Sequence, residues 1–197
     1  MMKDFISKEI AASIAVKQAI LEDTGLIAAI EEAAKIVTEV YKKGNKIMLG
    51  GNGGSAADSQ HIAAEFVSRF YFDRPGLPAI ALTTDTSIIT AIGNDYGYEK
   101  LFKRQIQAYG RPGDVFIGIS TSGNSPNILA GLMQCKEMGI TSIGFTGNGG
   151  KMAELCDLCI KVPSRETPRI QEAHILVGHI ICCIVEEEIF GELKPGK

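Results

Sequence analysis

Along residues 1–44 the apolar positions recur at three- and four-residue spacing in two stretches, Asp4 to Glu22 and Leu26 to Lys43, which predicts two amphipathic helices. Beyond Lys43 the period changes. Short apolar runs at Lys46 to Gly50, Ala79 to Thr83, Asp114 to Ser120, Thr141 to Thr146 and Leu158 to Val162 read as buried strands. Helical patterns start near Ser55, Thr86, Tyr98, Ser125 and Gly150, and a long one runs from Thr167 to Phe190. Strands that are apolar throughout and alternate with helices predict an α/β fold, its parallel sheet covered on both faces. Ligands in such folds sit at the carboxyl ends of the strands, so chemistry is to be sought in the loops that follow them.

Composition narrows the class. The 197 residues, 45% hydrophobic and 22% charged, are enough for one full core. The formal net charge is -3 and basic residues cluster only in pairs such as Lys42-Lys43 and Lys103-Arg104, so no nucleic-acid partner is expected. The first ten residues mix charged and apolar types, unlike a signal peptide, and the apolar run Ile175 to Val185 is broken by His179 and too short to span a bilayer. A soluble, cytoplasmic protein without membrane contact is expected. The five cysteines include a C-x-x-C, Cys156 and Cys159, but no second pair or nearby histidine completes a zinc set. These two, with Cys182 and Cys183, are read as buried small apolar residues.

The first glycine-rich loop is Gly50-Gly51-Asn52-Gly53-Gly54-Ser55. Its Gly51-x-Gly53-x-x-Ala56 matches a dinucleotide fingerprint, but two helices precede it, and Asp85, the acid ending the next strand, lies about 30 residues on instead of about 20. A phosphate-binding Walker loop fails because Phe145 stands where its leading glycine is required. The second loop, Ser120-Thr121-Ser122-Gly123-Asn124-Ser125-Pro126, brings several hydroxyls to a helix start, with Ser125 at the N-cap and Pro126 at the first helical position. Hydroxyls and backbone N–H groups at the positive end of a helix make an anion cradle that needs no lysine or arginine. A turn with Ser125 as a simple cap is the plainer alternative.

Two helices carry titratable groups. Ser55 and Asp58 have capping-box spacing, which gives Asp58 a structural role. His61 and Glu65, one turn apart, share a face within reach of a common ligand or metal. In the last helix Gln171, Glu172, His174 and His179 interrupt an apolar sequence; Glu172 and His179 share a face, whereas Gln171 lies about 80° round, so periodicity selects Glu172.

Taken together, Gly51-Asn-Gly-Gly-Ser-Ala-Ala-Asp58, Gln60-His-Ile-Ala-Ala-Glu-Phe66, Leu82-Thr-Thr-Asp85, Ala91-Ile-Gly-Asn-Asp95, Ser120-Thr-Ser-Gly123 and Arg169-Ile-Gln-Glu172 make the chain resemble the phosphoheptose isomerases of the sugar-isomerase (SIS) domain group over nearly its whole length. The resemblance implies one SIS domain over residues 1–197, a flavodoxin-like three-layer sandwich with a five-stranded parallel sheet preceded by two N-terminal helices over residues 1–44. It implies conversion of sedoheptulose 7-phosphate to D-glycero-D-manno-heptose 7-phosphate, towards the heptose of lipopolysaccharide and related glycans. It also implies a homotetramer with active sites between subunits, for which the N-terminal helices would supply interface.

Carried over, Ser120, Thr121, Ser122 and Ser125 hold the phosphate of the sugar, Asn52, Gly53, Gly54, Asn94, Asp95 and Gln171 contact the sugar phosphate, and Glu65 and His179 are the catalytic pair, Glu65 also touching substrate. His61, Glu65, Gln171 and His179 correspond to zinc ligands in several members, so the family selects Gln171 where periodicity selects Glu172. Non-catalytic SIS adaptors resembling replication-initiator-associating proteins are the alternative. They lack the carboxylate and imidazole that Glu65 and His179 supply here.

Overall fold

The change of period at Lys43 marks a change of layer. In the computed structural model, which describes residues 1–196, helices α1 (Met2–Glu22) and α2 (Thr24–Lys42) precede an alternation of strands and helices. It runs β1 (Ile47–Gly51), α3 (Gly54–Val67), β2 (Ala79–Ala81), α4 (Thr86–Tyr96), α5 (Leu101–Tyr109), β3 (Val115–Ser120), α6 (Pro126–Met138), β4 (Thr141–Thr146), β5 (Leu158–Lys161) and α7 (Thr167–Phe190). The five strands form one parallel sheet in the order β2-β1-β3-β4-β5.

Strand side chains alternate between faces and so build two cores. Ile47 and Leu49 of β1 and Val115, Ile117 and Ile119 of β3 join residues of α2, α3 and α7 such as Val37, Phe66 and Val177. Met48 and Phe116, from the intervening positions, pack with Phe102, Ile106, Ile128 and Leu132 of α5 and α6. Helices on both faces make three layers, the expected architecture. Asp114, just ahead of β3, clamps the lower end of the sheet: it accepts from the backbone N–H of Lys46 (3.1 Å) and Arg111 (2.8 Å) and from Lys46 Nζ (2.5 Å). Burial alone would raise its pKa, but these donors outweigh burial and hold the carboxyl below the usual range.

The chain passes from β1 to β2 on one side of the sheet and from β3 to β4 on the other. The loops after β1 and β3 therefore diverge, and a crevice opens at this switch point.

Three local expectations are corrected. Helix α3 starts at Gly54 with Gly53 as its N-cap (φ 56°), so Ser55 already lies inside the helix, buried, with its carbonyl accepting from Ser59 Oγ (2.8 Å). The Ser55–Asp58 capping box does not form, because two glycines let the chain enter the helix two residues earlier than a Ser55 cap would. The helix expected near Gly150 is only a 3₁₀ turn, Met152–Glu154, since β5 begins at Leu158 and leaves no room for more. Of the cysteines read as buried, Cys182 is buried, whereas Cys156, Cys159 and Cys183 are half-buried; all five cysteines are free thiols.

Helix α1 buries only Ile20, while Met2, Phe5, Ile6, Ile10 and Ile14 are exposed along it. It is tied to α7 by Arg169, which donates to the Glu9 carbonyl (2.6 Å) and pairs with Glu172 (3.0 Å). Glu172, the residue periodicity selects, thus has a structural partner, with Lys17 at 3.8 Å beside it. No helix among the described residues is long and apolar enough to cross a membrane.

Candidate active site

Helices α3 and α7 lie side by side, and each contributes to one cluster. On α3 the i, i+4 spacing stacks His61 over Glu65, with His61 Nε2 3.1 Å from Glu65 Oε1. From α7, His179 brings its Nε2 to 3.4 Å from His61 Nε2, the rings meeting edge to face at 4.9 Å. The ligand atoms of His61, Glu65 and His179 all lie within 4.8 Å of one another. The close approach of the helices has a simple cause: Gly178 packs against Ile62, and a Cβ there would collide with the Ile62 side chain. Phe70 walls the cluster, its ring 5.5 Å from that of His179.

Two imidazole nitrogens facing each other beside a carboxylate are a donor set that suits a zinc-like ion, nitrogen and oxygen ligands converging on one point. Gln171 meets α3 near its start. Its amide packs over Gly54, at the start of α3, where a Cβ would strike Gln171 Nε2; Gly54 and His61 are about two turns apart along the helix.

The second loop folds as a hydroxyl cradle. Ser120, buried at the end of β3, has its Oγ 2.8 Å from Ser125 Oγ and 3.4 Å from Ser122 Oγ. Gly123 turns the loop at φ 66°, where a side chain would strike the Gly149 carbonyl and Thr146. Ser125 occupies the N-cap of α6 but makes no capping hydrogen bond; its hydroxyl turns to Ser120 instead. The plain-cap alternative therefore fails, and Ser125 leaves the helix start available to an anion. Thr121 and Ser122 line a shallow cavity of about 130 Å³ with Asn148, Gly149, Ser164 and Arg165.

Asn52, in the first loop, shares a cavity of about 340 Å³ with Ser125, Asn127 and Tyr98. Gly53 and Gly54 are exposed beside it. Asn94 and Asp95 lie on the exposed last turn of α4, Asn94 Nδ2 donating to Asp95 (2.8 Å). Among the described residues no hydrogen bond joins them to the hydroxyl cradle or to the imidazole–carboxylate cluster.

Two features escape the sequence patterns. Asp58 has a buried Oδ2 without a hydrogen-bond partner, and burial raises its pKa against the opposing pull of His61. His174 is wholly buried against Phe145, and neither ring nitrogen has a partner in ordinary hydrogen-bond geometry. Burial lowers its pKa to about 4, outweighing the nearby Thr146 backbone. Its lone position in an apolar stretch of α7 was the available signal.

A parallel α/β sandwich with a hydroxyl cradle at its switch point defines a sugar-isomerase domain, and the SIS domain family model matches residues 11–147. A phosphoheptose isomerase of Aneurinibacillus thermoaerophilus is 69% identical over 190 residues, 96% of each chain, and phosphoheptose isomerase 2 of Campylobacter jejuni is 67% identical over 192 residues, 97% of this chain and 96% of that one. The solved phosphoheptose isomerase of Francisella tularensis superposes with a TM-score of 0.91 at 35% identity, covering 95% of this chain and 99% of the other. That of Neisseria gonorrhoeae gives 0.89 at 41%, covering 95% and 100%. The chain belongs to the phosphoheptose isomerase family, and it is an isomerase.

Proposed function

We propose that the chain interconverts sedoheptulose 7-phosphate and D-glycero-D-manno-heptose 7-phosphate, with Glu65 as the base at carbon and His179 as the acid and base at oxygen. The observation that carries this is the meeting of one carboxylate and two imidazoles between α3 and α7. Moving the carbonyl from C2 to C1 takes a proton from C1, passes through an enediol and returns a proton at C2, while the O1 proton leaves and O2 gains one. A carboxylate suits the carbon step and an imidazole the oxygen step. Ser120, Thr121, Ser122 and Ser125 hold the phosphate at the start of α6, which fixes the far end of the sugar. Asn52, Gly53, Gly54, Asn94, Asp95 and Gln171 contact the sugar phosphate.

His61, Glu65 and His179 would hold a zinc ion, with Gln171 as a weak fourth ligand once its amide turns from Gly54. Zinc there supplies Lewis-acid stabilisation of negative charge on the sugar oxygens. The apolar row Met2, Phe5, Ile6, Ile10 and Ile14 supports a homotetramer in which α1 is covered by another copy. A cytoplasmic enzyme feeding heptose into lipopolysaccharide or a related glycan fits this reading.

The test is turnover of sedoheptulose 7-phosphate. Glu65→Gln keeps the size of the side chain and removes the base, and it is expected to lower kcat at least about 10²-fold. A Glu65→Gln protein of unchanged oligomeric state with wild-type turnover would overturn the mechanism. A wild-type chain inert on this substrate would favour a non-catalytic adaptor.

A further inference from the structure

Between the sugar loop and the phosphate helix lies a pair of amides. Asn52 Nδ2 donates to Asn127 Oδ1 (3.0 Å), and Asn127 Nδ2 donates back to Asn52 Oδ1 (2.8 Å). Asn127 is buried at 2% exposure, and its Oδ1 also accepts from the backbone N–H of Ile128 (3.0 Å). The Tyr98 hydroxyl donates to Asn52 Oδ1 (3.0 Å) from the turn after α4.

The orientation of each amide follows from what it meets. The Ile128 N–H can only donate, so it fixes the oxygen side of the Asn127 amide. That places Asn127 Nδ2 against Asn52 Oδ1 and leaves Asn52 Nδ2 facing Asn127 Oδ1. Asn52 Oδ1 then has two donors for two lone pairs and is saturated. One N–H of Asn52 remains.

We infer that Asn127 and Tyr98 are positioning residues that hold Asn52 with its single free N–H as the group it offers, so that Asn52 meets an oxygen of the sugar phosphate as a donor only. This rests on the reading of Asn52 as a substrate contact. The pair also links two binding loops, since Asn127 sits in the first turn of the helix that receives phosphate and Asn52 in the loop leading to the helix that carries His61 and Glu65. A molecule bound in the cradle and turned over at Glu65 passes an N–H whose direction Asn127 sets.

The test is a double-mutant cycle on the intact enzyme, with KM for sedoheptulose 7-phosphate and Ki for inorganic phosphate measured in the same preparations. Asn127→Leu is expected to raise KM about 5- to 20-fold and Tyr98→Phe about 2- to 4-fold, the range for a lost or misdirected hydrogen bond. Ki for phosphate should stay within about twofold, because the hydroxyl cradle is untouched. In an Asn52→Ala background neither substitution should raise KM further.

Equal effects in both backgrounds, or a Ki that rises in step with KM, would mean that Asn127 merely supports α6 and would overturn the proposal. Wild-type KM for Asn52→Ala alone would overturn it differently, by removing Asn52 from the substrate contacts. Tyr98 is exposed, so its variant keeps the cycle open if Asn127→Leu does not fold.

Discussion

Arg74 and Glu186, 112 residues apart in the chain, meet at 3.0 Å with both side chains 1% exposed. The pair braces the two helices that carry His61, Glu65 and His179. Arg74 donates to the carbonyls of Glu65 (2.8 Å) and Phe66 (2.6 Å) at the end of α3. Glu186, two turns beyond His179 on α7, accepts from the backbone N–H of Phe70 (2.8 Å) and Tyr71 (2.7 Å). Burial would raise the Glu186 pKa, but those N–H groups and the guanidinium outweigh it and hold the carboxyl below its usual range.

Arg74→Met is therefore expected to cost about 3–5 kcal/mol, the usual penalty for leaving a buried charge without its partner. Replacing both residues, as Arg74→Met with Glu186→Leu, should not recover stability as it does for many buried pairs. Six backbone groups, the carbonyls of Glu65, Phe66, Ser68 and Pro75 and the N–H groups of Phe70 and Tyr71, would each lose a partner with the charges. Urea unfolding of the two variants checks this, and a double variant more stable than wild type would refute it.

Zinc binding should separate the cluster from Gln171. His61→Ala or His179→Ala is expected to weaken zinc affinity well beyond about tenfold, a loss seen even for groups that only support a metal ligand. Gln171→Ala should weaken it less and raise KM, because the amide rests on Gly54, about two turns before His61 along α3. Metal analysis of protein never exposed to chelator, with competition titrations on the variants, decides the matter; equal losses for all three would place Gln171 among the principal ligands.

Acid should destabilise the fold through His174. Its folded pKa of about 4 lies below the unfolded value near 6.5, so the unfolded state binds the extra proton. The stability this neutral imidazole confers is complete above pH 6.5, falls as pH drops towards 4, and amounts to about 3 kcal/mol when fully lost. Denaturant midpoints at pH 7 and pH 4.5 should converge in His174→Leu relative to wild type. An unchanged pH dependence in that variant would exclude His174 as the cause.

Much of the architecture was legible because it repeats a simple rule, an apolar run followed by a helical period, broken only after β4, where a 3₁₀ turn takes the place of a helix. The cradle was legible too, since hydroxyls packed between a strand and a proline-started helix have few other uses. His61 and Glu65 were visible from spacing within one helix, but their meeting with His179 depends on how α3 lies against α7, which periodicity does not encode. For the same reason periodicity selected Glu172, which its pairing with Arg169 on α7, with Lys17 of α1 nearby, accounts for. The Ser55 cap was misread because glycines at 53 and 54 allow an earlier helix start than side-chain chemistry suggests. Arg74 and Asn127 gave no local signal; each acquires its role from a partner far along the chain.

Gly178 sets a tolerance. With only a hydrogen facing Ile62, α7 lies close on α3, and each added carbon at that position would act as a shim between the two halves of the imidazole–carboxylate cluster. The spacing that brings His61 and His179 within 3.4 Å is thus gauged by a residue outside the cluster, with no side chain of its own.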